Sequence, residues 1–359
     1  MYKNNVSTIE QLEQYISLTP HERSEIQGII GSHLMSVNQY YMDLINWNDP
    51  NDPIRKMAIP SIAEKNLEGS FDTSGEHEST KICGLQHKYS QTALILCTNH
   101  CATYCRYCFR KRFVGISTDE IVENWDKIVE YICEHREITN VLLSGGDPFT
   151  LPTDRIVNIL QKLSGIQHLK FIRFGTRIPV VFPERIIKDD ELINVLKEYS
   201  CNNKRLYVTT HFNHPKEITP DSIEAINKFI DAQIIVNNQT VLLKGVNDNP
   251  AVMAELQSLI TKIGVVPYYI FQCRPVKKVK NIFQVPLYRA FEIIEGTRSM
   301  LDGLSKRFRF VMSHETGKIE IFGCIDDHLY FKYHQAKDKL LTGKLFHKKL
   351  HKDDAWLDL

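Results

Sequence analysis

Six short runs of aliphatic, β-branched and aromatic residues punctuate the middle of the chain: TALILC (92–97), NVLLS (140–144), LKFIRFG (169–175), RLYVTTHF (205–212), QTVLL (239–243) and VVPYYIFQC (265–273). Helix-forming stretches lie between and after them, among them TDEIVENWDKIVEYICEH, TDRIVNILQKL, DDELINVLKEY, TPDSIEAINKFI and PAVMAELQSLITKI. Strands alternating with helices build a parallel sheet, because a helical crossover returns the chain to the same end each time. The runs begin 26 to 48 residues apart, about the length of a strand–helix unit. Six units in succession predict an α/β fold, a partial (β/α)6 barrel over residues 91–305, with every strand feeding one shared face.

The flanks read differently. Residues 1–90 are expected to be a helical arm and a loop. In SLTPHERSEIQGIIGSHLMSV, Thr19, Pro20 and Glu22 make a helix start with a capping threonine, a proline in the first turn and a glutamate three residues on. The polar stretch EGSFDTSGEHEST reads as a surface loop. Residues 306–359 are expected to hold a further strand in FRFVMSH (308–314), a hairpin in KIEIFGCIDDHLYFKYH and a solvated basic tail, KLFHKKLHKDD.

The 359 residues are 43% hydrophobic and 24% charged, an ordinary soluble composition, and 44 basic against 43 acidic residues leave a net charge of +1. That balance offers no broad attraction to nucleic acid or to an acidic membrane. No apolar leader opens the chain and no stretch has the length of a membrane span, so a cytoplasmic location is expected. Nine cysteines, an odd number and mostly scattered, do not make a disulfide scaffold at this length.

One cluster of cysteines stands apart. In CTNHCATYCRYCFRKRFVG, directly after the first strand of the series, Cys101, Cys105 and Cys108 follow a C-x3-C-x2-C spacing. Cys97 lies inside the strand and is expected to pack as a small apolar residue. A structural zinc site would need a fourth ligand, with His100 or a distant cysteine filling in. Three thiolates on one loop suit a [4Fe–4S] cluster with one iron left open, and an open iron makes a reactive centre where a fully ligated cluster only carries electrons.

This pattern, with Tyr107 before the last cysteine, resembles the radical S-adenosylmethionine (SAM) superfamily. The longer strings CRYCFRKRFVG, VLLSGGDPFTL, RFGTRIPVVFPERI, THFNHPKEIT, NQTVLLKGVND and PYYIFQC resemble lysine 2,3-aminomutase and its relatives, collinearly over roughly residues 50 to 320. The resemblance implies that SAM chelates the open iron and is cleaved to a 5′-deoxyadenosyl radical, with a flavodoxin or ferredoxin as electron donor. It implies a 2,3-amino shift on an amino acid, a small-molecule substrate, in a homo-oligomer. Ser144, Gly145, Gly146 and Asp147 match the family's SAM contact, and His211 and Gln239 match residues around that cofactor. Arg110 matches the arginine that binds the substrate α-carboxylate, a role suited to a planar guanidinium fork. Lys318 falls where the family's lysine carries pyridoxal phosphate as an imine.

The chain also departs from the pattern. Only Gly317 remains of the glycine-rich loop before the lysine, and Gln91 and Thr92 stand where an arginine is expected before the first strand. Only Cys324 follows Lys318, so no C-terminal zinc is expected. Arg274 and Ser313 occupy the positions of the two aspartates that hold the ammonium of lysine. A cation facing that ammonium would repel it. L-lysine is therefore disfavoured, and Arg274 suits an acidic side chain or pairs with a neighbour such as Glu315. The alternative is a radical enzyme that abstracts hydrogen from another small molecule or a protein residue without pyridoxal phosphate.

Overall fold

The structure, a computed structural model, describes residues 5–200 and 204–359; Cys201 lies outside the described residues. The strands are β1 (Thr80–Ile82), β2 (Leu85–Tyr89), β3 (Thr92–Thr98), β4 (Asn140–Gly145), β5 (Phe171–Gly175), β6 (Arg205–Thr210), β7 (Ile235–Leu242), β8 (Val266–Gln272), β9 (Arg309–Ser313), β10 (Gly317–Ile325), β11 (His328–Ala336) and β12 (Leu345–Lys348). They form one sheet in chain order. From β3 to β9 every pairing is parallel. Antiparallel strands extend both ends, β1–β2 on one side and β10–β12 on the other. This is the partial barrel that the strand–helix rhythm predicts, with β9 as a seventh parallel strand.

The helices pack by the expected stripe. In the helix Thr153–Ser164 the buried residues are Ile156, Ile159, Leu160 and Leu163, spaced by three and four. The helix Pro220–Asp231 starts on a capping box from Thr219 and buries Ala225, Ile226 and Phe229. The arm helix Pro20–Ser32 starts on the predicted Thr19–Glu22 box. Its buried Ile26 and Ile30 belong to the same apolar core as the barrel strands.

Two expectations need correction. Residues 80–89, read as part of the helical arm and loop, form β1 and β2; β2 pairs antiparallel with β3 and so extends the parallel sheet. The basic tail is not simply solvated. Residues 345–348 form β12 against β11, where Phe346 stacks on Phe331 with ring centroids 5.2 Å apart. The chain then returns to the barrel: Gln272 Nε2 donates to the Ala355 carbonyl (3.0 Å), Leu287 N–H donates to that of Asp354 (2.8 Å), and Leu357 is buried. The apolar Phe346 and Leu357 outweigh the lysines around them, because lysine stems lie along apolar surface while their ammonium groups stay wet.

Replacing Leu357 with alanine is expected to cost about 2–4 kcal/mol in denaturant unfolding, as for other buried leucines. The same change at Leu340, which is 89% exposed, is expected to stay within about 0.5 kcal/mol.

Candidate active site

A cavity of about 680 Å³ runs along the inner face of the parallel strands, from Thr92, Asn140 and Phe171 at their starts to the Ser144–Asp147 turn and His211 at their C-terminal ends. Its lining includes Cys101, Cys105, Cys108, Tyr107, Arg110, the Ser144–Asp147 turn, His211, Gln239, Arg274, Ser313 and Lys318. The residues given cluster, cofactor or substrate roles by the resemblance therefore line one cavity. Cys97 does not line it; it sits in β3, where burial pushes its thiol up to about 12.

The cysteine loop has no regular structure, and two neighbours hold it. From the arm, the carbonyls of Ser36 and Met57 accept the N–H groups of Tyr104 and Arg106, both at 2.8 Å. Arg106 also forks onto the buried Glu64 carboxylate (2.8 and 2.5 Å), and Lys111 reaches the same carboxylate at 2.8 Å. Burial alone would raise the Glu64 carboxyl, but Arg106 and Lys111 hold it down to about 2. On the other side, Gly146 N–H donates to the Thr98 carbonyl (2.5 Å) and Asp147 N–H to that of His100 (2.7 Å). A Cβ on Gly145 or Gly146 would stand 2.3 or 2.2 Å from those same two carbonyl oxygens. The glycines thus admit the cysteine loop itself.

Asp147 lines the cavity, but both its oxygens are engaged: Oδ1 by Thr176 Oγ1 (2.7 Å) and Phe149 N (3.1 Å), Oδ2 by Arg177 N (2.6 Å). Burial raises its carboxyl to about 6. Tyr107 accepts from Asn213 Nδ2 (2.6 Å) and stacks on His211, with ring centroids 5.7 Å apart. Burial, with Arg177 nearby, lowers His211 to about 3 and keeps it neutral. Among the described residues no three His, Cys, Asp or Glu side chains converge on a single ion. A cluster spreads its thiolates over three irons, and three sulfurs on one loop facing one cavity fit that demand.

Arg110 donates from Nε and Nη2 to Glu76 Oε1 (3.3 and 3.1 Å) and from Nη1 to Ser144 Oγ (3.0 Å). Glu76 also accepts from Arg112 at 2.5 Å, so its charge is shared between two arginines. The Arg274 guanidinium lies 4.0 Å above the Phe109 ring and donates to Ser74 Oγ (2.9 Å). Glu315, the suggested partner of Arg274, sits exposed in the β9–β10 turn and does not pair with it. Ser313 on β9 and Lys318 on β10 are direct cross-strand partners. Lys318 Nζ lies 4.4 Å from the centre of the Tyr269 ring, and burial, helped by Arg173, Arg274 and Lys88, lowers its ammonium to about 7.

Sequence reading missed Glu76, Lys88, Arg173 and Gln86. Lys88 donates to the Ser74 and His314 carbonyls (2.9 and 2.6 Å), and Arg173 Nη2 donates to Asn140 Oδ1 (2.7 Å). Arg173 Nε and Gln86 Nε2 are buried donors without a partner among the described residues. The only available signal was Arg173 at an inward position of a predicted strand. This wall fits the phosphate of pyridoxal phosphate, because buried polar groups otherwise require partners.

Residues 95–256 match the radical SAM superfamily. A putative L-lysine 2,3-aminomutase of Aquifex aeolicus (strain VF5) is 40% identical over 94% of this chain and 90% of its own. The chain belongs to the lysine 2,3-aminomutase family. Two further proteins are similar: the L-lysine 2,3-aminomutase of Clostridium subterminale (41% identical, 84% of this chain, 71% of that one) and the glutamate 2,3-aminomutase of Clostridioides difficile (strain 630) (36%, 84% and 70%). The protein is thus a radical SAM enzyme of an isomerase family, and the family implies a [4Fe–4S] cluster and SAM. Among the described residues no helix is long and apolar enough to cross a membrane.

Replacing Gly146 with alanine is expected to push the cysteine loop off the turn. Reconstituted protein should then hold well under half of the wild-type iron, as read by metal analysis against protein concentration.

Proposed function

We propose that the enzyme moves the amino group of an acidic amino acid from Cα to Cβ, with pyridoxal phosphate attached at Lys318. The net change is an isomerisation: nitrogen passes to Cβ and one hydrogen passes to Cα. When bound, the cluster and SAM would supply a hydrogen-abstracting carbon radical, and pyridoxal phosphate would supply a conjugated ring system able to delocalise an unpaired electron beside the amino nitrogen. Cys101, Cys105 and Cys108 hold the cluster, and Tyr107, Ser144, Gly145, Gly146, Asp147, His211 and Gln239 form the SAM wall. Arg110 takes the α-carboxylate, oriented by Glu76.

The observation that carries the substrate class is a surplus of positive charge. Lys88, Arg173 and Arg274 line the cavity, and among the described residues none has a carboxylate within ion-pair distance. Glu76, which also lines the cavity, is committed to Arg110 and Arg112. Charges taken from water need counter-charges, so this wall awaits anions. A phosphate dianion answers Lys88 and Arg173. Arg274 is left for a side-chain carboxylate, with Ser313 beside it in place of a second charge. A glutamate 2,3-aminomutase stands among the similar proteins beside lysine enzymes of higher identity, so the substrate class rests on the charge of the wall.

The first test is anaerobic incubation with pyridoxal phosphate, borohydride reduction and mass spectrometry. Label is expected on Lys318, and none there would favour the reading without pyridoxal phosphate. Because the free amine attacks and its ammonium is lowered to about 7, the initial labelling rate should rise through pH 7 and level off well below the ordinary lysine range. Reduced, loaded enzyme is then given glutamate and lysine; aspartate is left out because a 2,3-shift on it regenerates aspartate. A β-amino dicarboxylate is expected and β-lysine is not. Arg274→Gln should raise KM for the acidic substrate by roughly 30-fold or more, the loss of about 2 kcal/mol that follows when one partner of a buried charge pair is removed.

A further inference from the structure

The RFGTRIPVV motif delivers Arg177, which borders the cavity but has no part in the amino shift described above. Its side chain enters the cysteine loop, where Nη1 donates to Cys105 Sγ at 2.9 Å. Among the described residues Cys105 is the one cysteine of the trio whose sulfur receives a side-chain donor; Cys108 receives the Arg110 backbone N–H at 3.3 Å.

The guanidinium is held on every side. Nη2 donates to Glu217 and to the Tyr41 hydroxyl (2.9 Å), and Nε donates to the His211 carbonyl (3.2 Å). The rings of Tyr41 and Tyr107 lie 5.1 and 5.6 Å from its central carbon. Glu217 is fully buried and fixed in turn by Tyr41 OH (2.6 Å) and by the backbone N–H groups of Asn213 (2.6 Å) and His214 (3.0 Å). The hydrogen bond to sulfur is therefore locked in a planar, five-donor group that cannot rotate away.

We infer that Arg177 is a positioning residue that raises the reduction potential of the cluster through Cys105, with Glu217 as the counter-charge that moderates it. One-electron reduction adds a negative charge to the cluster and its sulfurs. A charged N–H donor on a ligand sulfur stabilises that reduced form more than the oxidised one, since hydrogen bonds to the sulfurs and local charge set such potentials. The carboxylate of Glu217, held on the far side of the same guanidinium, opposes the effect. The pair sets how readily a flavodoxin- or ferredoxin-type donor fills the cluster before SAM is cleaved.

The two partners must then act with opposite sign, which a purely structural role does not produce. The experiment is a redox titration of the reconstituted full-length protein without SAM, followed by the electron paramagnetic resonance signal of the reduced cluster. Iron per chain is measured on each sample. Arg177→Gln should move the midpoint to more negative potential, Arg177→Lys less far in the same direction, and Glu217→Gln to more positive potential. If Arg177→Gln fails to take up iron, Arg177→Lys and Glu217→Gln decide the matter alone. Midpoints equal to wild type in variants with full iron overturn the inference. So do shifts of one sign on both sides of the pair, which would mean general loosening of the site.

Discussion

An irregular loop placed at the end of a buried sheet must find partners for its backbone groups, or pay for leaving them dry. The cysteine loop meets this constraint from two sides. The arm lends the carbonyls of Ser36 and Met57 and the Glu64 carboxylate, and the turn after β4 lends two N–H groups across a gap that only glycine leaves open. Three sulfurs acquire fixed directions because their backbone has nowhere else to go. The arm is thus part of the site, and its Tyr41 hydroxyl also reaches Arg177 and Glu217.

The Glu64 clasp with Arg106 and Lys111 illustrates the energetics. Such a buried triad adds little net stability compared with an apolar packing, yet removing one member leaves uncompensated charge and costs about 3–5 kcal/mol. The geometry is therefore specified more than it is stabilised. Arg110 follows the same logic through Glu76 and Ser144, and Arg177 through Glu217 and Tyr41. Arg106, Arg110 and Arg177 each have a carboxylate behind them, whereas among the described residues Arg173 and Arg274 have none.

Much of this was legible in the sequence, and the reasons for what was not are physical. The parallel strands announced themselves as apolar runs because both faces are covered. β7 starts four residues before its legible run, because Asn237 and Asn238 are polar residues inside a strand; the Asn238 amide satisfies the Phe212 N–H at 2.7 Å. β1 and β2 were hidden by polar residues and by Gly84 between them. Glu76 could not be picked out of a polar stretch, since only folding sets it against two arginines 34 and 36 positions away. The spacing of Cys101, Cys105 and Cys108 was local and therefore visible. The anion wall assembles Lys88, Arg173 and Arg274 from β2, β5 and the exit of β8, and no local pattern encodes such a meeting.

Lys318 owes its low affinity for protons to burial and to Arg173, Arg274 and Lys88, which among the described residues have no carboxylate within ion-pair distance. The push comes from three separate strands and strand ends, so no single neighbour owns it. A negative charge beside any one of the three would weaken the repulsion and make a proton on the lysine easier to keep. The basicity of this one amine is therefore a property of the whole chamber wall.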